Sequence, residues 1–139
     1  EDRLRRKAFL LGLILSRRPE KFLRGENGPW PPVLDRHMLR LVLRWGAVDV
    51  ADPEMIGRLA QGLAVPPVVE ERVRLAAYEA FARLADASGR SVPDTFDFFQ
   101  SARAWCPEDR APDCAACVFG GACAKRIELK NPVVRTTAY

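Results

Sequence analysis

The chain has 139 residues, 48% of them apolar, and a formal net charge of +4. That length supports one domain with a real core, and the composition excludes a disordered polyelectrolyte. The longest apolar run, Ala8 to Leu15, is too short to cross a bilayer. Arginines flank that run on both sides, and no small-residue cleavage site follows it, so it suits a buried helix better than a leader peptide. The expectation is a cytoplasmic protein that does not enter the membrane. Charge is unevenly spread: residues 1–44 carry +6, residues 45–105 carry −3 and residues 106–139 carry +1. A basic first third can meet phosphate, or can simply be a solvated helix face.

In chain order, residues 3–18 predict a largely buried helix, and Pro19 to Pro32 predict a loop rich in Pro and Gly. Asp35 stands before a stretch from Arg36 to Trp45. There Met38, Leu39, Leu41, Val42 and Trp45 recur at helical spacing and Arg36, Arg40 and Arg44 recur every four residues, with Gly46 as the stop. Asp52-Pro53 opens a short helix to about Leu63. Pro66-Pro67 precedes a long helix over 68–87, and Asp94 caps one over 95–105. No segment alternates like a strand. The fold class is therefore all-α, several short helices at steep angles. The expected organisation is a helical domain over 1–105, a four-cysteine loop over 106–124 and a polar tail over 125–139.

All four cysteines lie in one block, Cys106-x7-Cys114-x2-Cys117-x5-Cys123. Four thiolates within eighteen residues can surround one metal centre, and Pro107, Pro112, Gly120 and Gly121 let the backbone fold round it. Zinc sites of four cysteines usually bring two close pairs. Here only Cys114 and Cys117 form one, and the wider gaps favour a [4Fe–4S] cluster, with zinc as the alternative. Two disulfides are a third arrangement, one that an intracellular protein rarely keeps.

Two segments together resemble the iron–sulfur branch of the helix-hairpin-helix DNA glycosylases, the group of endonuclease III and MutY. That family carries Cys-x6-Cys-x2-Cys-x5-Cys near its C-terminus, and the first gap here is one residue longer. The stretch Val33-Leu34-Asp35-Arg36-His37-Met38-Leu39-Arg40-Leu41-Val42-Leu43-Arg44 is similar to the family's Val-Asp-Thr-His-Val-x-Arg-Val-x-x-Arg, with Asp35, His37, Arg40 and Arg44 on matching positions. The order of the two segments matches, as does a helix leading into the first cysteine. The resemblance implies a structural [4Fe–4S] cluster on Cys106, Cys114, Cys117 and Cys123, and duplex DNA as partner. It implies Asp35 as the carboxylate that stabilises positive charge on the sugar during release of a flipped base. Lys7 falls where bifunctional members place the nucleophile of an AP-lyase step.

Two features favour a different reading. The family's glycine hairpin is replaced by Glu1-Asp2-Arg3-Leu4-Arg5, and the first cysteine gap is acidic through Glu108, Asp109 and Asp113 against Arg110. A non-catalytic, metal-stabilised helical module is the alternative, binding nucleic acid or a partner protein that supplies a missing helical half. Each site residue also has an ordinary role: Asp35 as a helix cap, Lys7 as a solvated cation, and Arg36, Arg40 and Arg44 as partners of acids such as Asp49 and Glu54. Trp105, next to Cys106, suits a shield for the metal site.

Overall fold

The structure is a computed structural model, in which residues 5–20 and 30–133 are described. Five α-helices follow in order: α1 (Arg6–Ser16), α2 (Arg36–Trp45), α3 (Pro53–Gln61), α4 (Pro67–Ser88) and α5 (Val92–Ser101). A 3-10 turn, Ala102–Ala104, leads into the cysteines. Among the described residues there is no strand, only an isolated bridge between Ala64 and Val133. None of the helices described is long and apolar enough to cross a membrane. The all-α reading holds; the expected helix start at residue 3 and most of the loop over 19–32 lie outside the described residues.

The helix ends follow from local chemistry. Asp35 caps α2 through the Met38 N–H, and Asp52 caps α3 through the Glu54 N–H with Pro53 at its first position. Helix α5 begins earlier than its predicted start, because Ser91 rather than Asp94 is the cap. The Ser91 hydroxyl accepts from the Asp94 N–H and donates to the Asp94 carboxylate. Gly46 ends α2 at φ 80°, a left-handed conformation that a side chain resists.

Helix α2 is the axis of the core. Every residue from His37 to Arg44 is buried. Its apolar members Met38, Leu39, Leu41, Val42 and Leu43 meet Leu59 of α3, Val73, Ala77 and Phe81 of α4, and Phe96 and Phe99 of α5. Burying Phe81 and the α2 leucines contributes about 2 kcal/mol per side chain before chain entropy is counted. Helix α1 joins this core through Leu13, and Arg17 ties it to Asp97 of α5 at 2.8 Å.

The segment expected to be a polar tail is, as far as residue 133, part of the fold. The Arg126 and Ala124 N–H groups donate to the carbonyls of Arg44 and Trp45, satisfying the open end of α2. Further on, Lys130 N–H reaches the Leu59 carbonyl, Val65 N–H reaches the Val133 carbonyl, and Leu129 and Asn131 are buried. Hydropathy hid this, because main-chain hydrogen bonds rather than apolar side chains hold most of the segment.

Candidate metal centre

Cys106, Cys114, Cys117 and Cys123 line one small cavity of about 20 Å³, walled otherwise by Arg44, Trp45, Trp105, Pro112, Lys125 and Ile127. None of the four is joined in a disulfide. Among the described residues, no three His, Cys, Asp or Glu side chains are grouped as a site for a single metal ion. The wall holds no carboxylate and no imidazole. This donor set, four soft sulfurs flanked by two cations and two indoles, fits an iron–sulfur cluster or zinc.

The loop is built from both sides. Cys106 follows the 3-10 turn, its N–H on the Ala102 carbonyl at 2.8 Å. Between the later cysteines, the Gly120 N–H closes a turn on the Cys117 carbonyl. Phe119 then turns inward and packs its ring against Trp45 at 4.9 Å, Phe98 at 5.0 Å and Phe99 at 5.4 Å. That aromatic cluster fastens the loop to α2 and α5. After Cys123, Lys125 adopts φ 54°, unusual for a residue with a side chain, and its N–H points at the Cys123 sulfur at 3.3 Å.

Helix α2 meets this loop with polar groups. Arg40 donates to the Cys106 carbonyl at 2.9 Å and lies 3.2 Å from the Glu108 carboxylate. Arg44 donates through Nη1 to the Cys106 sulfur at 3.1 Å and through Nε to the Leu129 carbonyl at 3.0 Å. Both arginines are buried. Their four-residue spacing puts them on one face of α2 and suits them to phosphate in the sequence alone, yet the structure turns them inward to the chain's own carbonyls and sulfur. Arg36 alone of the three is exposed, and it reaches Glu108 at 3.5 Å. Asp49 and Glu54 pair instead with Arg126 and Arg58.

His37 completes the network. Arginine can only donate, so the 2.9 Å contact from Arg40 makes His37 Nδ1 the acceptor. Nε2 therefore carries the proton and faces the Phe99 carbonyl at 3.4 Å. Burial, with Arg40 and Arg103 nearby, lowers the His37 pKa to about 4 against a partial opposing pull from Asp35. The imidazole is thus neutral at pH 7.

A second, larger cavity of about 760 Å³ opens beside the start of α2. Asp35, His37 and Arg40 line it, with Arg6, Arg36, Arg103 and Glu108 among the charged walls. Asp35 Oδ1 accepts the Met38 N–H, while Oδ2 accepts from Gln100 at 2.9 Å and Arg103 at 2.8 Å. Besides capping the helix, its carboxylate is thus fixed by two side-chain donors. Lys7 stands exposed on α1 and does not line this cavity; its neighbour Arg6 does.

Compared with family models, curated proteins and solved structures, the chain matches none. The site therefore stands on its own geometry. Three of its members, Gln100, Arg103 and Leu129, have no sequence signal of their own, and Glu108 shows in the sequence only as part of an acidic loop. The inward turn of Arg40 and Arg44 did have one: Met38, Leu39, Leu41, Val42 and Leu43 occupy so much of the helix surface that little solvent face remains for them.

Proposed function

We propose that this chain is a DNA glycosylase-like iron–sulfur protein that binds duplex DNA at the cavity beside Asp35 and releases a flipped base. One observation carries the reading. The two segments that resemble the iron–sulfur glycosylases, 33–44 and 106–123, lie 62 residues apart at their contact, Arg44 to the Cys106 sulfur, and pack as one unit. In that reading a cluster on the four cysteines supplies a structural cross-link that holds the loop against α2. Asp35, at the rim of the larger cavity and held by three donors, stabilises positive charge developing on the sugar as the bond from C1′ to the base nitrogen breaks. Water then adds at C1′, and the departing base takes up a proton. Strand cleavage through a Schiff base needs an amine at C1′, and Lys7 is not on the cavity wall. Base release without a Lys7-dependent lyase step is therefore the proposed activity.

The test begins with the protein purified without oxygen. Brown colour, about four irons per chain and matching acid-labile sulfide are expected. Wild type and Asp35→Asn are then compared on damaged and mismatched duplexes. The proposal expects release by wild type and loss of release at unchanged duplex affinity in the variant. A colourless protein holding one zinc would sink it.

A second reading, a non-catalytic module that docks on a partner protein, is favoured by one feature. The exposed Glu108, Asp109 and Asp113 give the face of the loop net negative charge, while Arg40 and Arg44 point inward. A brown protein that neither retains duplex DNA nor releases any base would leave this reading in its place.

A further inference from the structure

Among the described residues, the sulfurs of Cys106 and Cys123 receive N–H groups, and they do so by different routes. The Lys125 main chain, held in a left-handed conformation, gives its N–H to Cys123. Cys106 is the buried member of the set; Arg44 Nη1 donates to its sulfur at 3.1 Å, and Arg40 lies close enough to interact with the same side chain. Arg44 is locked in this pose, because Nε donates to the Leu129 carbonyl while Nη1 is also 3.4 Å from the Pro107 carbonyl. Its guanidinium is buried, so its charge is little screened by solvent. A planar fork with one arm on a carbonyl and another on sulfur is a role that lysine, a single point charge, fills only in part.

We propose that Arg44 sets how tightly the four cysteines keep their metal group and at what potential that group is reduced, by donating an N–H to the Cys106 sulfur. The inference rests on the iron–sulfur reading above. Reduction adds negative charge that spreads onto the cysteine sulfurs. A hydrogen bond and a buried cation at one of them stabilise the reduced form and so raise the potential. The same contact orients Cys106 as a ligand, the usual work of a group just outside a metal's own ligands.

The experiment uses the full chain, wild type, Arg44→Met and Arg44→Lys, purified without oxygen, with far-UV circular dichroism to check that each is folded. Iron release to an excess of a ferrous chelator and the reduction potential are measured. Arg44→Met is expected to release iron at least about tenfold faster than wild type. Its potential should become more negative by about 59 mV, which corresponds to a tenfold change in the one-electron equilibrium. Arg44→Lys should recover part of the potential through its charge and less of the retention. Wild-type values for both quantities in Arg44→Met would overturn the proposal. Should Arg44→Met fail to fold, Arg44→Lys decides: lysine cannot reproduce the fork that holds carbonyl and sulfur together, so an iron-release rate and a potential equal to those of wild type would overturn the proposal. A wild type with no iron removes both this inference and the reading beneath it, whereas a brown wild type with an indifferent Arg44 removes this inference alone.

Discussion

Acidification should unfold this protein early, and His37 is the reason. In the folded chain its pKa is held down to about 4, while in the unfolded chain it returns to about 6.5. Between those values the unfolded state binds the extra proton, so stability falls as pH drops from about 6.5 towards 4 and is flat with respect to this group above and below. Linkage over those two pKa values gives a loss of about 2 kcal/mol between pH 7 and pH 5. The groups facing the imidazole are Arg40, Arg103 and Asp35, and the first two oppose its protonation. Carboxylates and cysteines also respond to acid, so the clean measurement is a difference. Urea unfolding of wild type and His37→Gln would be followed at pH 7 and pH 5. Glutamine can donate to the Phe99 carbonyl and accept from Arg40, yet it does not titrate. Wild type should lose about 2 kcal/mol more than the variant over this interval. Equal losses would refute the account of His37 as a buried neutral imidazole.

Three further substitutions, one of them a control, test how the loop is held. Gly46→Ala places a Cβ 2.9 Å from that of Ala124 on a backbone at φ 80°, whereas Gly89→Ala at φ 64° meets nothing within 4 Å. Each should lose about 1 kcal/mol of stability to the left-handed conformation, and Gly46→Ala about 1 kcal/mol more, which urea titration of the pair will read. Phe119→Ala removes three ring contacts between the loop and the helices. It should cost about 2 kcal/mol; an unchanged unfolding midpoint would show that the aromatic cluster does not fasten the loop.

Helices α2 to α5 were legible because each has a local signal, whereas α1 has no side-chain cap and, against the expectation of a largely buried helix, buries only Leu13. Asp35 and Gly46 bracket α2, Asp52-Pro53 opens α3, and Pro66-Pro67 separates α3 from α4. The start of α5 was misjudged since Ser91 and Asp94 are both good caps three residues apart, and only the backbone shows which one stands outside the helix. The cysteines were legible as a group from spacing alone. What surrounds them was not. Asn131 against Glu108, Leu129 against Arg44, and Gln100 and Arg103 against Asp35 are pairings across 23 to 85 residues, set by packing. Arg40 and Arg44 read as outward cations because arginine is usually solvated, and the apolar residues that crowd their helix overrode that habit.

The distance along the chain between α2 and its polar partners bears on how the protein is made. The helix is complete at residue 45, but the sulfur that accepts from Arg44 is 62 residues further on and the Leu129 carbonyl is 85. A ribosome exposes this helix long before either acceptor exists. Until then its leucines lack shelter and two guanidiniums lack the groups that make their burial tolerable. Contacts this far apart carry a large loop-closure entropy and slow the search for the native state. The centre of the molecule therefore closes last, after the fourth cysteine has emerged. Until residue 129 has emerged the two guanidiniums stay without these acceptors, and a nascent chain would meet proteases as an open one.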